Sequence, residues 1–502
     1  MATGYSDENS GSLPSTEDLP GPAATYGANH FELLFSTDVR KLRQLSKEQM
    51  VDLLLAQART LKKRRSGGSD RFQEDQAQDD DADTAGSPNK KTKQEGKFDF
   101  SKYKFRHIAL KFLYLGWDYQ GLCVQEDNEK TIEAILFNAL NRTRLIECRE
   151  KSNYHRCGRT DKGVSAFCQV ISLDVRSNLQ HGEGLIMPAV YDSNRAKHTN
   201  IELDYVAILN RVLPKEIRVI GWAPVEEKFS ARFDCKMRMY RYFFPKGQLK
   251  INAMREAASY LVGENDFRNF CKMDVGNGVT EFTRRVEKAW IEAPEGSDGD
   301  PSTMCCFCIR ANAFLWHQIR CIVAVLVLVG EGNESPSIVA ELLDVKKHPR
   351  KPQYSLASEV PLCLYEAVYD SVKWVHNRGE ISKLMDQLQR TWAMLSIKAT
   401  MISSMLNDLT TLIGYRPTTH ADPLLPGVRP RQYKPLLARP KCETLENRIA
   451  YFEKKKQKQM EKNQREAKAK LTEMKPIDIS ESDLDIPHDG QIDLKPKHIP
   501  LL

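Results

Sequence analysis

Core-forming residues in this 502-residue chain are concentrated between Lys104 and about Asp370, and within that stretch two hydrophobic periods alternate. Ile108, Leu110, Phe112 and Tyr114 recur at every second position, which predicts a strand that ends at Gly116. Thr131 then stands as an N-cap before Ile132, Ile135, Leu136, Ala139 and Leu140, whose spacing puts them on one helical face. A glycine-flanked turn and a strand from about Cys168 to Val175 follow. Further helices are expected near Asn252 to Leu261 and Leu315 to Val329, and strands near Tyr240 to Phe244 and Thr303 to Arg310. This succession predicts an α+β fold: two α/β layers, each packing helices on one face of a largely antiparallel sheet. No repeat of fixed period accompanies it.

The flanks differ in composition. Residues 1–100 are poor in core formers except at Ser46 to Leu61, where Met50, Leu53, Leu54 and Ala58 predict one short helix behind a Ser46–Gln49 capping box. Ser66 to Gly96 holds almost nothing apolar and is expected to be a disordered linker. Its edges, Lys62-Lys63-Arg64-Arg65 and Lys90-Lys91-Thr92-Lys93, read as a bipartite nuclear signal, as phosphate contacts, or as a solvated charge run. Residues 371–502 form a C-terminal helical extension and basic tail, with helices expected at Ile381 to Leu406 and Cys442 to Lys475. The intervening 101–370 is the catalytic candidate.

A net charge of +7 permits an acidic partner without demanding one. The N-terminal residues lack the apolar run of a signal peptide, so the twelve cysteines are expected to be reduced thiols in nucleus and/or cytoplasm. The longest apolar stretch, Cys321 to Val329, is far shorter than the roughly twenty residues a bilayer requires, so no membrane partner is expected. Cys305 and Cys308 form a C-x-x-C, but no second pair stands at zinc-ligand spacing, so no metal is assigned.

Chemistry concentrates in Tyr154-His155-Arg156-Cys157-Gly158-Arg159-Thr160-Asp161-Lys162-Gly163-Val164-Ser165. Glycines on both sides let the backbone turn tightly and project Arg159, Thr160 and Asp161 from a loop. Arg159 and Lys162 give the Asp161 carboxylate cationic neighbours, as a base or nucleophile requires. On these residues alone, an Asx-turn or a helix cap is the commoner explanation of such an aspartate.

The string Gly158-Arg159-Thr160-Asp161-Lys162-Gly163-Val164 resembles the catalytic loop of the TruA-type pseudouridine synthases. Other landmarks of that family follow in order: Tyr114-Leu115-Gly116-Trp117, Phe229-Ser230-Ala231-Arg232-Phe233, Tyr240-Arg241-Tyr242, Gly263-Glu264-Asn265-Asp266-Phe267, and Asn312-Ala313-Phe314 through Ile319-Arg320. Asn269-Phe270-Cys271-Lys272-Met273-Asp274, Gly116-Trp117-Asp118-Tyr119-Gln120-Gly121 and Arg439-Pro440-Lys441-Cys442 resemble the eukaryotic branch that acts at tRNA positions 38 and 39. The segment His181 to Asn200 resembles an insertion relative to compact members.

The resemblance implies the TruA-type fold, two ferredoxin-like halves around a basic cleft, and isomerisation of uridine to pseudouridine in the tRNA anticodon arm. It implies Asp161 as the catalytic residue, Arg159 as the RNA contact at the flipped nucleotide, Tyr240 as the ring that packs on the target base, and Arg320 as the partner of Asp161. Arg320 is read as lying mid-helix, where an unpaired cation is costly. No cofactor is expected, because an isomerisation neither gains nor loses atoms, and a homodimer is expected from the family. Arg284, Arg285, Lys346, Lys347, Arg350 and Lys351 are available to line the cleft. Rival readings are a related synthase acting on other tRNA or messenger RNA uridines, a non-catalytic tRNA-binding protein, and a scaffold working through the basic helix from Thr444 to Met474.

Overall fold

The computed structural model describes residues 98–473 apart from 127, 189–190, 197–198, 295–300, 371, 416–421 and 428–431. The chain divides into Met1–Gln94 and Glu95–Leu502, and all described residues belong to the second unit. The helix expected at Ser46 to Leu61 and the linker from Ser66 to Gly96 lie outside the described residues.

The long alternating segment near the start of the domain forms β1 (Lys104–Tyr114), and the turn beyond it leads to α1 (Ile132–Arg142). Thr131 caps α1 as expected, its Oγ1 accepting from the Ala134 amide at 3.3 Å. The chain continues through β2 (His155–Arg156), β3 (Ser165–Ser177), β4 (Leu185–Ile186), α2 (Tyr205–Asn210) and β5 (Ile217–Pro224). A second run comprises β6 (Met237–Pro245), α3 (Ile251–Ser259), β7 (Gly263–Asp266), β8 (Thr283–Glu292), β9 (Met304–Ala311), α4 (Gln318–Gly330), α5 (Ile338–Leu343) and β10 (Leu362–Val368).

All ten strands join one sheet, and its pairing reveals a repeat. In the first run β5 and β3 flank β1, and β2 lies outside β3; in the second, β10 and β9 flank β6, and β8 lies outside β9. Each run therefore has the strand order of a βαββαβ ferredoxin-like unit, and the second adds β7 at its outer edge. The seam between them is parallel, Cys363 and Leu364 of β10 against Ser165 and Ala166 of β3. Elsewhere the pairing is antiparallel.

Strand alternation sends Ile108, Leu110, Phe112 and Tyr114 to the helical side, where they share one core with Leu136, Leu140, Met254, Val325 and Leu326. The opposite face carries a smaller cluster that includes Ala109, Cys157, Cys168, Val170 and Cys235. Strand period puts the two cysteines of the C-x-x-C on opposite faces: in β9, Cys305 faces the helices, and the neighbours on the other side are Cys306 and Cys308, with sulfurs 3.6 Å apart. Glu292 comes within reach of that pair, and the Arg241 guanidinium lies beside it.

Two long helices follow. In α6 (Arg378–Ile413) the start is fixed to the domain: the Asn377 amide donates to Asp204 at 2.5 Å, the Gln387 amide to the Lys215 carbonyl, and Leu384 is buried. The basic helix α7 (Leu445–Glu473) docks its beginning as well, with Leu445, Ile449 and Phe452 against the core and Arg448 donating to the Met273 carbonyl at 3.3 Å.

Candidate active site

The expected catalytic loop, Cys157 to Val164, crosses the seam immediately before β3 and is held from several sides. Thr160 Oγ1 lies 2.7 Å from the buried Tyr114 hydroxyl, the Leu122 amide donates to the Thr160 carbonyl at 3.2 Å, and the Gly163 amide donates to the Tyr119 carbonyl at 3.1 Å. The Gln169 amide donates to the Gly158 carbonyl at 3.1 Å, and Arg238 donates to the Cys157 carbonyl at 2.9 Å. Gly116 must stay a glycine here, because any side chain would run into the Val164 carbonyl. Gly163 has φ +78°, and a Cβ there would stand 2.8 Å from Cγ of Glu359.

Upstream of the loop, a buried carboxylate fixes the approach. Glu133 of α1 accepts from the Tyr154 hydroxyl at 2.6 Å, from Arg149 at 3.1 Å, from the Val124 amide at 3.1 Å and from Arg156. Charge-assisted bonds of this kind offset the desolvation that burying a carboxylate costs. Burial also pushes the Tyr154 hydroxyl well above its ordinary range, with Glu133 reinforcing the effect.

The loop leaves Asp161 partly open, with 28% of its side chain exposed, and turns it toward the second half of the sheet. His317 Nε2 lies 3.3 Å from Asp161 Oδ2, and Arg320 Nη1 lies 3.9 Å from the same oxygen. Arg320 thus approaches Asp161 as expected, but its tighter partners are the Ala357 carbonyl at 2.7 Å and Glu359 at 2.8 Å. Nor is Arg320 mid-helix. It is the third residue of α4, because His317 adopts φ +60° and the helix begins only at Gln318. The Gln318 side chain folds back to accept from the Leu315 amide at 2.7 Å, which locks that corner.

Burial pulls the His317 imidazole below its usual pKa, and Arg320, Lys272 and Lys351 act in the same direction against the opposing pull of Asp161. The ring is therefore neutral at neutral pH. Trp316 stands beside it, 41% exposed, with the Lys272 ammonium 4.4 Å from its ring centre.

Tyr240 lies on β6 with 8% of its surface exposed, its ring edge-to-face with Phe314 at 5.2 Å. Burial raises its hydroxyl pKa. Arg159 is exposed on the loop and makes no hydrogen bond or ion pair among the described residues. Asp161 and Arg320 are thus brought together, Tyr240 is buried on β6 against Phe314, and Arg159 is exposed on the loop. Of the cations expected to line the cleft, Lys351 points inward, donating to the Cys271 carbonyl and the Cys321 sulfur, each at 3.1 Å. Lys347 is paired with Glu341 at 2.7 Å.

Two residues escaped the sequence reading. His317 had a signal, since it stands three positions before Arg320 inside the string already singled out. Glu359 had none: it occupies a loop before β10 and acts only through the fold.

Comparison with known proteins agrees with this geometry. A family model described as tRNA pseudouridine synthase matches residues 257–370. The chain is 46% identical over 381 residues to the human tRNA pseudouridine(38/39) synthase, covering 71% of this chain and 78% of that one. It is 38% identical over 393 residues to a probable tRNA pseudouridine synthase of Caenorhabditis elegans, covering 76% and 96%. Similarity to the tRNA pseudouridine synthase A of Methanosarcina mazei, 31% identical over 284 residues, covers 56% of this chain and 91% of that one.

Proposed function

The chain belongs to the TruA-type tRNA pseudouridine synthases, and on that premise we propose that it isomerises uridines 38 and 39 in the anticodon arm of tRNA with Asp161 as the catalytic residue. The observation that carries the reading is the seam geometry: one half-sheet presents a carboxylate on a hydrogen-bonded loop, and the other presents His317 and Arg320 to it.

A stacked uridine offers neither C1′ nor C5 to a protein group, so the nucleotide must first leave the stack, at a cost of roughly a few kcal/mol. Arg159, exposed and unpaired at the rim, is suited to hold the RNA at the vacated position. Tyr240 and its neighbour Phe314 supply aromatic surface for the extruded ring, and stacking of this kind is worth about 1–3 kcal/mol per base. The N1–C1′ bond then breaks, the uracil turns, and C5 bonds to C1′; C5 loses a proton and N1 gains one. Asp161 acts at the ribose or at the base during these steps. Arg320, fixed by Ala357 and Glu359, keeps a cation near the carboxylate without collapsing onto it.

The eukaryotic relatives supply the positions, and the resemblance brings a homodimer into the same reading. The basic clusters at Lys62–Arg65 and Lys90–Lys93 support residence in the nucleus as well as the cytoplasm.

Site-resolved pseudouridine mapping of tRNA treated with the purified protein and with Asp161→Ala tests the reading. Signal at 38 and 39 that vanishes with the substitution is expected. Signal only at other positions would retain the chemistry and discard the assigned sites, and unaltered signal in Asp161→Ala would remove the aspartate from the mechanism.

A further inference from the structure

Residues directly opposite one another in an antiparallel pair share a face of the sheet, and three strands of the second half bring ligand-forming side chains together in this way. Glu292, the last residue of β8, stands opposite Cys306 of β9, and Arg241 of β6 stands opposite Cys308. The two sulfurs are 3.6 Å apart, and they and a carboxylate oxygen of Glu292 all lie within 4.8 Å of one another. Two thiolates bound to one tetrahedral zinc, each at about 2.3 Å, stand about 3.8 Å apart. Strand geometry therefore already sets the pair close to the spacing of zinc ligands.

The surroundings fit the same ion. Both cysteines are buried and Glu292 is exposed, so the carboxylate is the open side by which a cation enters. Trp290 Nε1 donates to Glu292 Oε1 at 2.9 Å, which orients the carboxylate and leaves the rest of it for ligation. Zinc held by two thiolates and one carboxylate carries one net negative charge, and a buried site of that charge needs a counter-ion. Arg241 supplies it. Its guanidinium lies 4.0 Å from the centre of the Tyr365 ring, and its Nε is buried without a hydrogen-bond partner among the described residues. A metal-bound thiolate beside it is the acceptor that this donor lacks. Soft sulfur donors favour zinc over magnesium or calcium.

We infer that Cys306, Cys308 and Glu292 form a zinc site, completed by a solvent ligand, that ties β8 to β9 on the face of the sheet away from the helices. Strands β6 and β10 stand between β9 and the strand that carries the catalytic loop, so the site is structural and independent of the reaction proposed above. The C-x-x-C spacing in the sequence does not reveal it, because Cys305 lies on the helical side of the sheet and cannot share an ion with Cys308. That difference separates this site from adventitious binding by the remaining thiols.

The test is the zinc content and zinc affinity of the reduced full-length protein, measured by elemental mass spectrometry and by competition with a chromophoric chelator. Wild type is expected to retain one zinc per chain with a dissociation constant below about 1 µM. Cys308→Ser should abolish binding, and Glu292→Gln should weaken it at least about tenfold. Cys305→Ser should change nothing. Cobalt in place of zinc should give thiolate-to-metal charge-transfer absorption that Cys308→Ser loses, and added zinc should raise the melting temperature of wild type and of Cys305→Ser but not of Cys308→Ser. Circular dichroism of the metal-free variants separates lost ligation from lost fold; should Cys308→Ser fail to fold, the exposed Glu292→Gln decides. Only trace zinc in wild type would overturn the site. So would zinc that Cys305→Ser removes as completely as Cys308→Ser, or an affinity that Glu292→Gln leaves unchanged.

Discussion

The two halves of the sheet share a strand order and divide the work differently. The first half exposes the aspartate on a loop whose conformation is imposed by hydrogen bonds from Tyr114, Tyr119, Leu122, Gln169 and Arg238 and by glycines at its tightest points. The second half places its functional residues at the start of α4, a helix whose following residues from Cys321 to Gly330 are all buried. The corresponding helix of the first half, α2, has only six residues. One half therefore fixes a polar loop with directional bonds, and the other anchors a cation by burying the helix that carries it. An anionic group and a cationic group are held close across a seam that neither half could build alone.

The sharpest way to break this arrangement is to remove the cation and keep its anchors. Arg320→Leu leaves Glu359 without its guanidinium and Asp161 without the cation 3.9 Å from it. Loss of a preorganised charge of this kind costs on the order of a hundredfold to a thousandfold in turnover. Arg320→Lys should recover little, because one ammonium cannot reproduce the separate bonds to Ala357 and Glu359 that set the side chain. Single-turnover rates on saturating tRNA measure the loss, and a rate within threefold of wild type for Arg320→Leu would mean that the second half contributes packing alone.

A smaller perturbation probes the contact between halves from the other side. Gly163→Ala forces a non-glycine residue into φ +78° and pushes a methyl group against Glu359, which in turn holds Arg320. The backbone strain alone is worth about 1–2 kcal/mol. Stability should fall by about that amount in denaturant titrations, and turnover should fall several-fold because Arg320 is displaced with its anchor. If stability falls and turnover does not, Glu359 steadies the fold without setting the cation.

How far these halves can be read from sequence depends on where their physics resides. β1, α1 and the loop were legible because alternation, a threonine cap and paired glycines are local signals, and each maps onto the structure within a few residues. The onset of α4 was misplaced from Leu315 to Gln318 because the left-handed turn at His317 is held by a side-chain bond from Gln318, which no periodicity records. The repeated strand order left no repeat in the sequence, since strand pairing constrains hydrophobic alternation rather than residue identity. Glu359 was invisible for a related reason: its role exists only once β10 has been laid beside β3. The pairing of Cys306 with Cys308 was legible in principle, because residues two apart on a strand share a face.

The finest test of the comparison is the protonation of His317, the residue that belongs to one half and touches the carboxylate of the other. Its pKa in the folded protein is depressed, chiefly by burial, so the unfolded chain binds its proton more readily than the native state does. Stability contributed by the neutral ring is complete above the unfolded value of about 6.5 and is lost as pH falls through the lower folded value. The melting temperature of wild type should therefore decline more steeply below about pH 6.5 than that of His317→Gln, whose side chain carries no titrating group. The two curves should run parallel at higher pH. Parallel curves throughout would show that the Asp161 carboxylate offsets the burial fully, so that folding leaves the protonation of the imidazole unchanged; a wild-type curve that falls less steeply than that of His317→Gln would show an imidazolium paired with the carboxylate.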